Sequence, residues 1–307
     1  MGIILTILVK RTDWINMEKQ SKIIRAISVE GSAFIHACDA TAIVAKAREL
    51  HNTSKTMTAT LGRALIACSL MSALLKGENN KLTLQFQGDG PAGTVLCVGD
   101  SKGNVKGYAQ NPDVELPPND LGKLNVGGAI GHGTLHVMKD LGMNEPYHGM
   151  CPIVTGEIGE DVTEYYVTSE QIPTACALGV RVNRDLSVKS AGGFLVQLLP
   201  GADPEIITQL EENLKNIGSV SQKIAEGMTP LQVIEQVFEG IPFDILDEND
   251  IQYTCGCSRD RYSRILSTLN QKDLKSLIEE NQPVETVCNF CGEKYVFSVE
   301  ELKAYVK

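Results

Sequence analysis

Apolar and polar positions change their period twice along the chain. Up to about Gly201 the pattern is mainly alternation, the mark of half-buried strands. Lys22 to His36 reads as two short strands, IIRAISVE and SAFIHAC, joined at Glu30-Gly31. Asp39 is placed to cap a helix running to about His51. Thr56 to Lys76 is apolar on every side (Met57, Leu61, Leu65, Ile66, Leu70, Met71), and Arg63 stands in its middle among Thr and Ser. That predicts a helix buried in a protein core. KLTLQFQG, TVLCVGD, NVKGYAQ and GTLHVMKD then alternate between Gly, Asn and Asp punctuation, as in an antiparallel sheet with hairpins. A helix over Thr163 to Gln171 and strands over ACALGVRV and GGFLVQLLPG close this region.

Beyond Pro200-Gly201 the period becomes helical. Asp203 with Pro204 is an N-cap followed by proline at the first helical position. Ile206, Ile207, Leu210, Leu214 and Ile217 keep helical spacing up to Gly218. Ser219 with Gln222 reads as a capping box for a second helix, and Thr229-Pro230 opens a third with Leu231, Ile234, Val237 and Phe238, ended at Gly240. Helices this short hold only while their apolar faces lie on something. In the last stretch Ser258 is placed to cap a helix with Tyr262, Ile265, Leu266 and Leu269. Asp273 is placed to cap another, and Ser298 with Glu301 a third.

The expected fold class is α+β: an antiparallel-sheet core domain with buried helices over 17–201, an acidic helical linker over 202–250, and a small C-terminal zinc-binding redox-switch domain over 251–307. Residues 1–16 read as an N-terminal extension, because Met17 opens a more ordinary start; the alternative is an extra edge strand. Lys10 and Arg11 follow the first apolar run instead of preceding it, so the run does not read as a signal peptide. It is also too short to span a bilayer. These features lead to the expectation of a cytoplasmic protein.

Charge sharpens the division. The net charge is -10, which disfavours general binding to phosphate backbones. From Ala202 to Asp250 eleven acidic residues stand against Lys215 and Lys223, a balance of -9, whereas Ile251 to Lys307 balances at 0. Nearly all of the excess therefore sits in the linker.

Of the nine cysteines, Cys38, Cys68, Cys97, Cys151 and Cys176 lie among apolar neighbours and read as inert thiols. The other four form two tight pairs, Cys255-Gly-Cys257 and Cys288-Asn-Phe-Cys291, separated by thirty residues. Two such pairs are how four thiolates reach one tetrahedral zinc. Gly256 is expected to permit the tight first loop, and Gly292 to let backbone amides turn toward sulfur. A module of this size needs a staple, and structural zinc supplies about 10–16 kcal/mol against a typical net stability of about 5–15 kcal/mol. Zinc also keeps the sulfurs as thiolates, the oxidisable form. The same four residues are therefore expected to act as a redox switch: oxidation releases zinc, melts the module and leaves the acidic helices without a packing partner.

CGCSRDRYSRIL, AGGFLVQLLPGAD and PIVTGEIGEDVTEYYVTSEQIPTACALGVRV, together with the C-x-C … C-x-x-C ending, closely resemble the redox-regulated 33 kDa heat-shock chaperones, the 33 kDa chaperonin family, from about Met17 to Lys307. The resemblance implies a holdase for unfolding proteins, inactive when reduced and zinc-bound and active when oxidised. It implies one zinc per chain on Cys255, Cys257, Cys288 and Cys291, oxidised bridges Cys255–Cys257 and Cys288–Cys291, and a homodimer in the active state. Clients would then meet the apolar surface of the linker, with Ile206, Leu210, Leu214, Val237 and Phe238, and the core face beneath it; the alternative is that these five are permanent core. A second reading is a zinc-ribbon nucleic-acid binder using Arg259, Arg261, Arg264 and Tyr262, against which the charge balance weighs. An enzyme is not expected. No nucleophile–base arrangement or phosphate loop is present, and His132 and His136 would share a strand face without a third ligand. No membrane or specific nucleic-acid partner is expected.

Overall fold

The computed structural model describes residues 20–306, so the expected extension over 1–16 and the start at Met17 lie outside the described residues. Twelve strands and ten helices follow one another among these residues. The first sheet has the order β10-β1-β2-β9-β8, built from β1 (Lys22–Ser28), β2 (Ala33–Asp39), β8 (Thr174–Val182), β9 (Val188–Leu198) and β10 (Phe243–Asp250). The second has the order β5-β4-β3-β6-β7, built from β3 (Lys81–Gly88), β4 (Thr94–Asp100), β5 (Val105–Ala109), β6 (Gly133–Asp140) and β7 (Tyr147–Ile153). All of their pairings are antiparallel.

The helix that is apolar all round is α2 (Lys55–Ser72), capped by Ser54, whose hydroxyl accepts from the Met57 amide at 3.0 Å. Its side chains meet both sheets in one core with Leu82, Leu84, Phe86, Leu135 and Val137, which explains why it has no polar face. Arg63 leaves this core as an ion pair with Glu157. Asp39 accepts from the Thr41 amide at 3.0 Å at the start of α1 (Thr41–His51), although Ala40 is the residue at the N-cap position. The helix expected over Thr163 to Gln171 starts earlier, as α4 (Gly159–Tyr165), and runs on as a π-helical turn to Glu170.

The acidic segment lies on the outer face of the first sheet. Helices α5 (Pro204–Asn216), α6 (Val220–Ala225) and α7 (Pro230–Val237) turn Leu210, Ile224, Val233, Ile234 and Phe238 onto Ile24, Ile35, Phe194 and Val196. Asp203 and Thr229 cap as expected, whereas the Ser219 side chain makes no capping bond to an amide. Helix α6 comes closest to the sheet. Gly179 and Gly192 face each other across β8 and β9, and a Cβ on them would stand 2.6 Å from Ser221 Cβ and 2.3 Å from Ile224 Cδ1. Only glycine admits that approach. Helix α5 sits less closely, over an apolar cleft of about 140 Å³ lined by Val196, Leu198, Leu210 and Leu214. The segment is not helical to its end, a correction to the helical reading of 202–250. Residues 243–250 form β10, an edge strand paired to β1 and tied to it by the Arg25–Asp247 ion pair.

The last residues fold as a small module: α8 (Arg259–Ser267), α9 (Gln271–Glu279), a hairpin of β11 (Val284–Val287) and β12 (Lys294–Phe297), and α10 (Val299–Lys303). Ser258 and Ser298 cap as expected. The cap of α9 is Asn270, which accepts from the Asp273 amide at 2.9 Å; Asp273 itself lies inside the first turn.

Candidate metal centre and its link to the core

The four C-terminal cysteines converge. Their sulfur atoms all lie within 4.8 Å of one another, and they are the one group of three or more His, Cys, Asp or Glu so placed among the described residues. Cys255 Sγ lies 3.7 Å from Cys288 Sγ, and Cys257 Sγ 3.4 Å from Cys291 Sγ. A tetrahedral metal with bonds to sulfur of about 2.3 Å needs sulfur–sulfur edges of about 3.8 Å. The four side chains therefore fit a tetrahedral thiolate-bound ion such as zinc and could hold one metal.

Backbone and phenol groups orient the sulfurs. The Cys288 amide donates to the Glu293 carbonyl at 2.9 Å and the Gly292 amide to the Cys288 carbonyl at 2.8 Å, closing the second pair into a tight knuckle. Gly292 takes φ +75°, the left-handed conformation that glycine adopts without strain. Gly256 differs from the expectation: its φ is not positive, and open space surrounds the position of a Cβ, so the first loop does not depend on glycine for steric reasons. The Tyr295 hydroxyl donates to Cys257 Sγ at 3.2 Å.

The thiols differ in acidity. Burial acts to raise Cys288, but the Phe290 amide, the Tyr262 hydroxyl and the Cys291 amide hydrogen-bond to its sulfur and bring it down to about 7. Cys291 and Cys255 are held up, by burial first and then by neighbouring thiols that compete for the same protons. One proton leaves readily; full ionisation of the group needs a cation to offset the gathered charge. The five scattered cysteines contrast with this. Burial raises Cys38, Cys68 and Cys97, and pushes Cys176 up to about 12 and Cys151 to about 11, which suits inert thiols.

The centre is fastened to the second sheet through residues that spacing alone does not single out. Phe290, inside the second cysteine pair, lies edge-on to Tyr108 of β5 with centroids 5.4 Å apart. Lys106 Nζ stands 4.6 Å from the centroid of the same ring. Just before the first pair, Tyr253 bridges to Val105, and its hydroxyl accepts from the Gly107 amide at 3.3 Å. That hydroxyl also lies against the Gly107 carbonyl at 2.8 Å and against the Phe290 carbonyl, its one proton serving either. A hint was available in the sequence: an aromatic residue inside a metal knuckle is costly to expose and calls for a partner.

The remaining expected site residues fall as follows. Leu210, Val237 and Phe238 are buried against the first sheet, and Ile206 and Leu214 are half-buried beside them. Of the basic cluster, Arg259 is engaged inside the module: it donates to the Val296 carbonyl at 2.8 Å, pairs with Glu301 and covers the Phe297 ring. His132 precedes β6 instead of sharing its face with His136, a correction; the neighbour of His136 is His148 on β7, at 3.2 Å. No helix among the described residues is long and apolar enough to cross a membrane.

The family profile described as "Hsp33 protein" matches residues 21–298. Among curated proteins, the 33 kDa chaperonin of Agathobacter rectalis is 46% identical over 281 residues, which cover 92% of this chain and 98% of the relative. That of Acetivibrio thermocellus is 44% identical over 285 residues, covering 93% and 96%. Among solved structures, the 33 kDa chaperonin (heat shock protein 33 homolog) of Thermotoga maritima superposes with a TM-score of 0.86 at 37% identity, covering 93% of this chain and 97% of that one. The chain belongs to the Hsp33 family.

Proposed function

We propose that this Hsp33-family chain is a cytoplasmic holdase for unfolding proteins, silent when reduced and zinc-bound and active when oxidised. The observation that carries the reading is the convergence of Cys255, Cys257, Cys288 and Cys291 on one tetrahedral position beside Phe290. One zinc per chain holds the module together. A peroxide then takes two electrons from each of two thiolate pairs: each pair forms an S–S bond, each peroxide is reduced to two waters with the uptake of protons, and the zinc leaves. The nearest sulfurs in the reduced arrangement belong to different pairs, yet we assign the bridges to Cys255–Cys257 and Cys288–Cys291. Once the metal has gone, partners more than thirty residues apart drift away, and reclosing that loop costs about 2 kcal/mol more in chain entropy than closing a local one.

The switch then reaches the linker. Loss of the knuckle withdraws Phe290 from Tyr108 and Lys106 and loosens the Tyr253 anchor that follows β10. Helices α5–α7 are short, acidic and amphipathic, so their hold on the first sheet is marginal. Lifting them frees Ile206, Leu210, Leu214, Val237 and Phe238, and the sheet face beneath, for apolar client segments, while eleven acidic residues keep the complex soluble. The active form works as a homodimer.

The test compares reduced, zinc-bound chain with peroxide-treated chain at mild heat, following zinc release with a chelating dye and client aggregation by light scattering. Zinc release and suppression of aggregation should appear together. Equal protection by the reduced chain would sink the gating. A second lever bypasses oxidation: Gly179→Ala pushes α6 off the sheet and should give a reduced, zinc-bound chain that already protects clients.

A further inference from the structure

Strands β6 and β7 carry a cluster of soft donor groups that the chaperone mechanism leaves unused. Their register sets His136 opposite Met150 and Met138 opposite His148. Leu135, Val137 and Cys151 are buried in the inter-sheet core, so alternation puts these four on the outer face. His136 Nδ1 and His148 Nε2 point at each other 3.2 Å apart, with ring planes 17° from parallel. Met150 is 60% exposed, so the cluster is open to solvent.

We infer that His136, His148, Met138 and Met150 form a second metal site, for a soft monovalent cation of the copper(I) type. Two imidazole nitrogens and two thioethers are a donor set that selects soft ions. The neighbouring positions on β3 are Gln85, opposite His136, and Thr83, opposite Met138, so the set contains no carboxylate of the kind that hard cations require. Two nitrogens bound at about 2.0 Å around a tetrahedral ion lie about 3.3 Å apart. The two ring nitrogens already stand at nearly that separation, and the paired strands hold the four Cβ atoms on one face, from which side-chain rotation brings the donors toward one ion. Partial burial and the neighbouring His148 keep His136 below the usual histidine range, so its imidazole is neutral and ready to bind near pH 7.

The cysteine cluster also binds soft ions, so the readout has to be local. Reduced, zinc-bound chain with isotope-labelled methionine methyls and histidine rings is titrated without oxygen with copper(I) supplied as its acetonitrile complex, and followed by NMR. The Met138 and Met150 methyls and both imidazoles are expected to shift together. His148→Asn and Met150→Leu, both at exposed positions, should each weaken that binding by at least about tenfold, since even outer-shell changes cost this much at metal sites. If the four signals stay fixed while copper displaces zinc from the cysteines, or if both variants bind as the parent does, the pair is a simple N–H···N hydrogen bond and the site does not exist.

Discussion

The body between the two sheets and the C-terminal module share a chain but are held by different forces. Among the described residues, forty buried apolar side chains join in the cluster around α2, whereas the module's own buried cluster is Leu266, Leu274, Phe297 and Leu302. Burial of apolar area contributes about 25 cal/mol per Å², which a body of the first kind accumulates many times over. Four side chains cannot offset the ordering of some fifty residues at about 1–2 kcal/mol each. The module therefore needs a cross-link of the kind a metal on its four cysteines would supply, and the body does not. Under the proposed switch, oxidant acts on the module while the body stays intact, and the linker helices inherit the response.

The largest test of that contrast is removal of the metal. Chelation takes away about 10–16 kcal/mol of binding free energy. Amides of 255–306 should lose hydrogen-exchange protection while those of α2 and β3 keep theirs; a module still protected would break the contrast outright. Next come two matched truncations. Phe86→Ala, in the inter-sheet core, should lower the stability of the body by about 3–5 kcal/mol and leave zinc affinity unchanged. Leu274→Ala removes one of the four side chains of the module's buried cluster and should instead appear as zinc retention weakened by about thirtyfold or more.

Acid tests the body through a buried histidine. His36 is buried in β2, its Nδ1 at 2.9 Å from the Leu70 carbonyl, and burial lowers its pKa from 6.5 to about 3. The unfolded chain takes up a proton below about pH 6.5 that the folded chain refuses, so stability falls as pH drops, by about 2 kcal/mol at pH 5. Urea titrations at pH 7 and pH 5 measure this, and His36→Gln should flatten the difference. The smallest effect belongs to the joint between the regions. Phe290→Ala removes one edge-on aromatic contact and one cation–π contact, together about 1 kcal/mol. It should leave zinc bound, speed exchange at the Gly107 and Tyr253 amides, and allow peroxide to act at a lower temperature.

Much of this was legible in the residues. The four clustered cysteines announce themselves because thiolate chemistry fixes the number and spacing that a metal site needs. Helix α2 announces itself because eighteen residues without a polar face have only one environment open to them. The elements that escaped are those whose stability comes from a distant partner. Strand β7 carries Gly149 and Pro152, poor strand formers that an edge strand tolerates. Strand β10 hides among Asp244, Asp247, Glu248 and Asp250, its pairing supplied by β1 more than two hundred residues earlier. In α9, Asn270 and Asp273 both suit a cap, and the local sequence does not rank them.

The sequence by itself therefore determined the donor chemistry, the buried helix, the alternating strands and the acidic amphipathic helices, because each follows from residue type and short spacing. Tertiary structure decided what no spacing encodes: that α5–α7 lie on the outer face of the first sheet through the paired Gly179 and Gly192, that Phe290 joins the metal knuckle to β5, and that His136 faces His148. Those relations arise from contacts between segments far apart in the chain, whose geometry is set only when the sheets close around their common core.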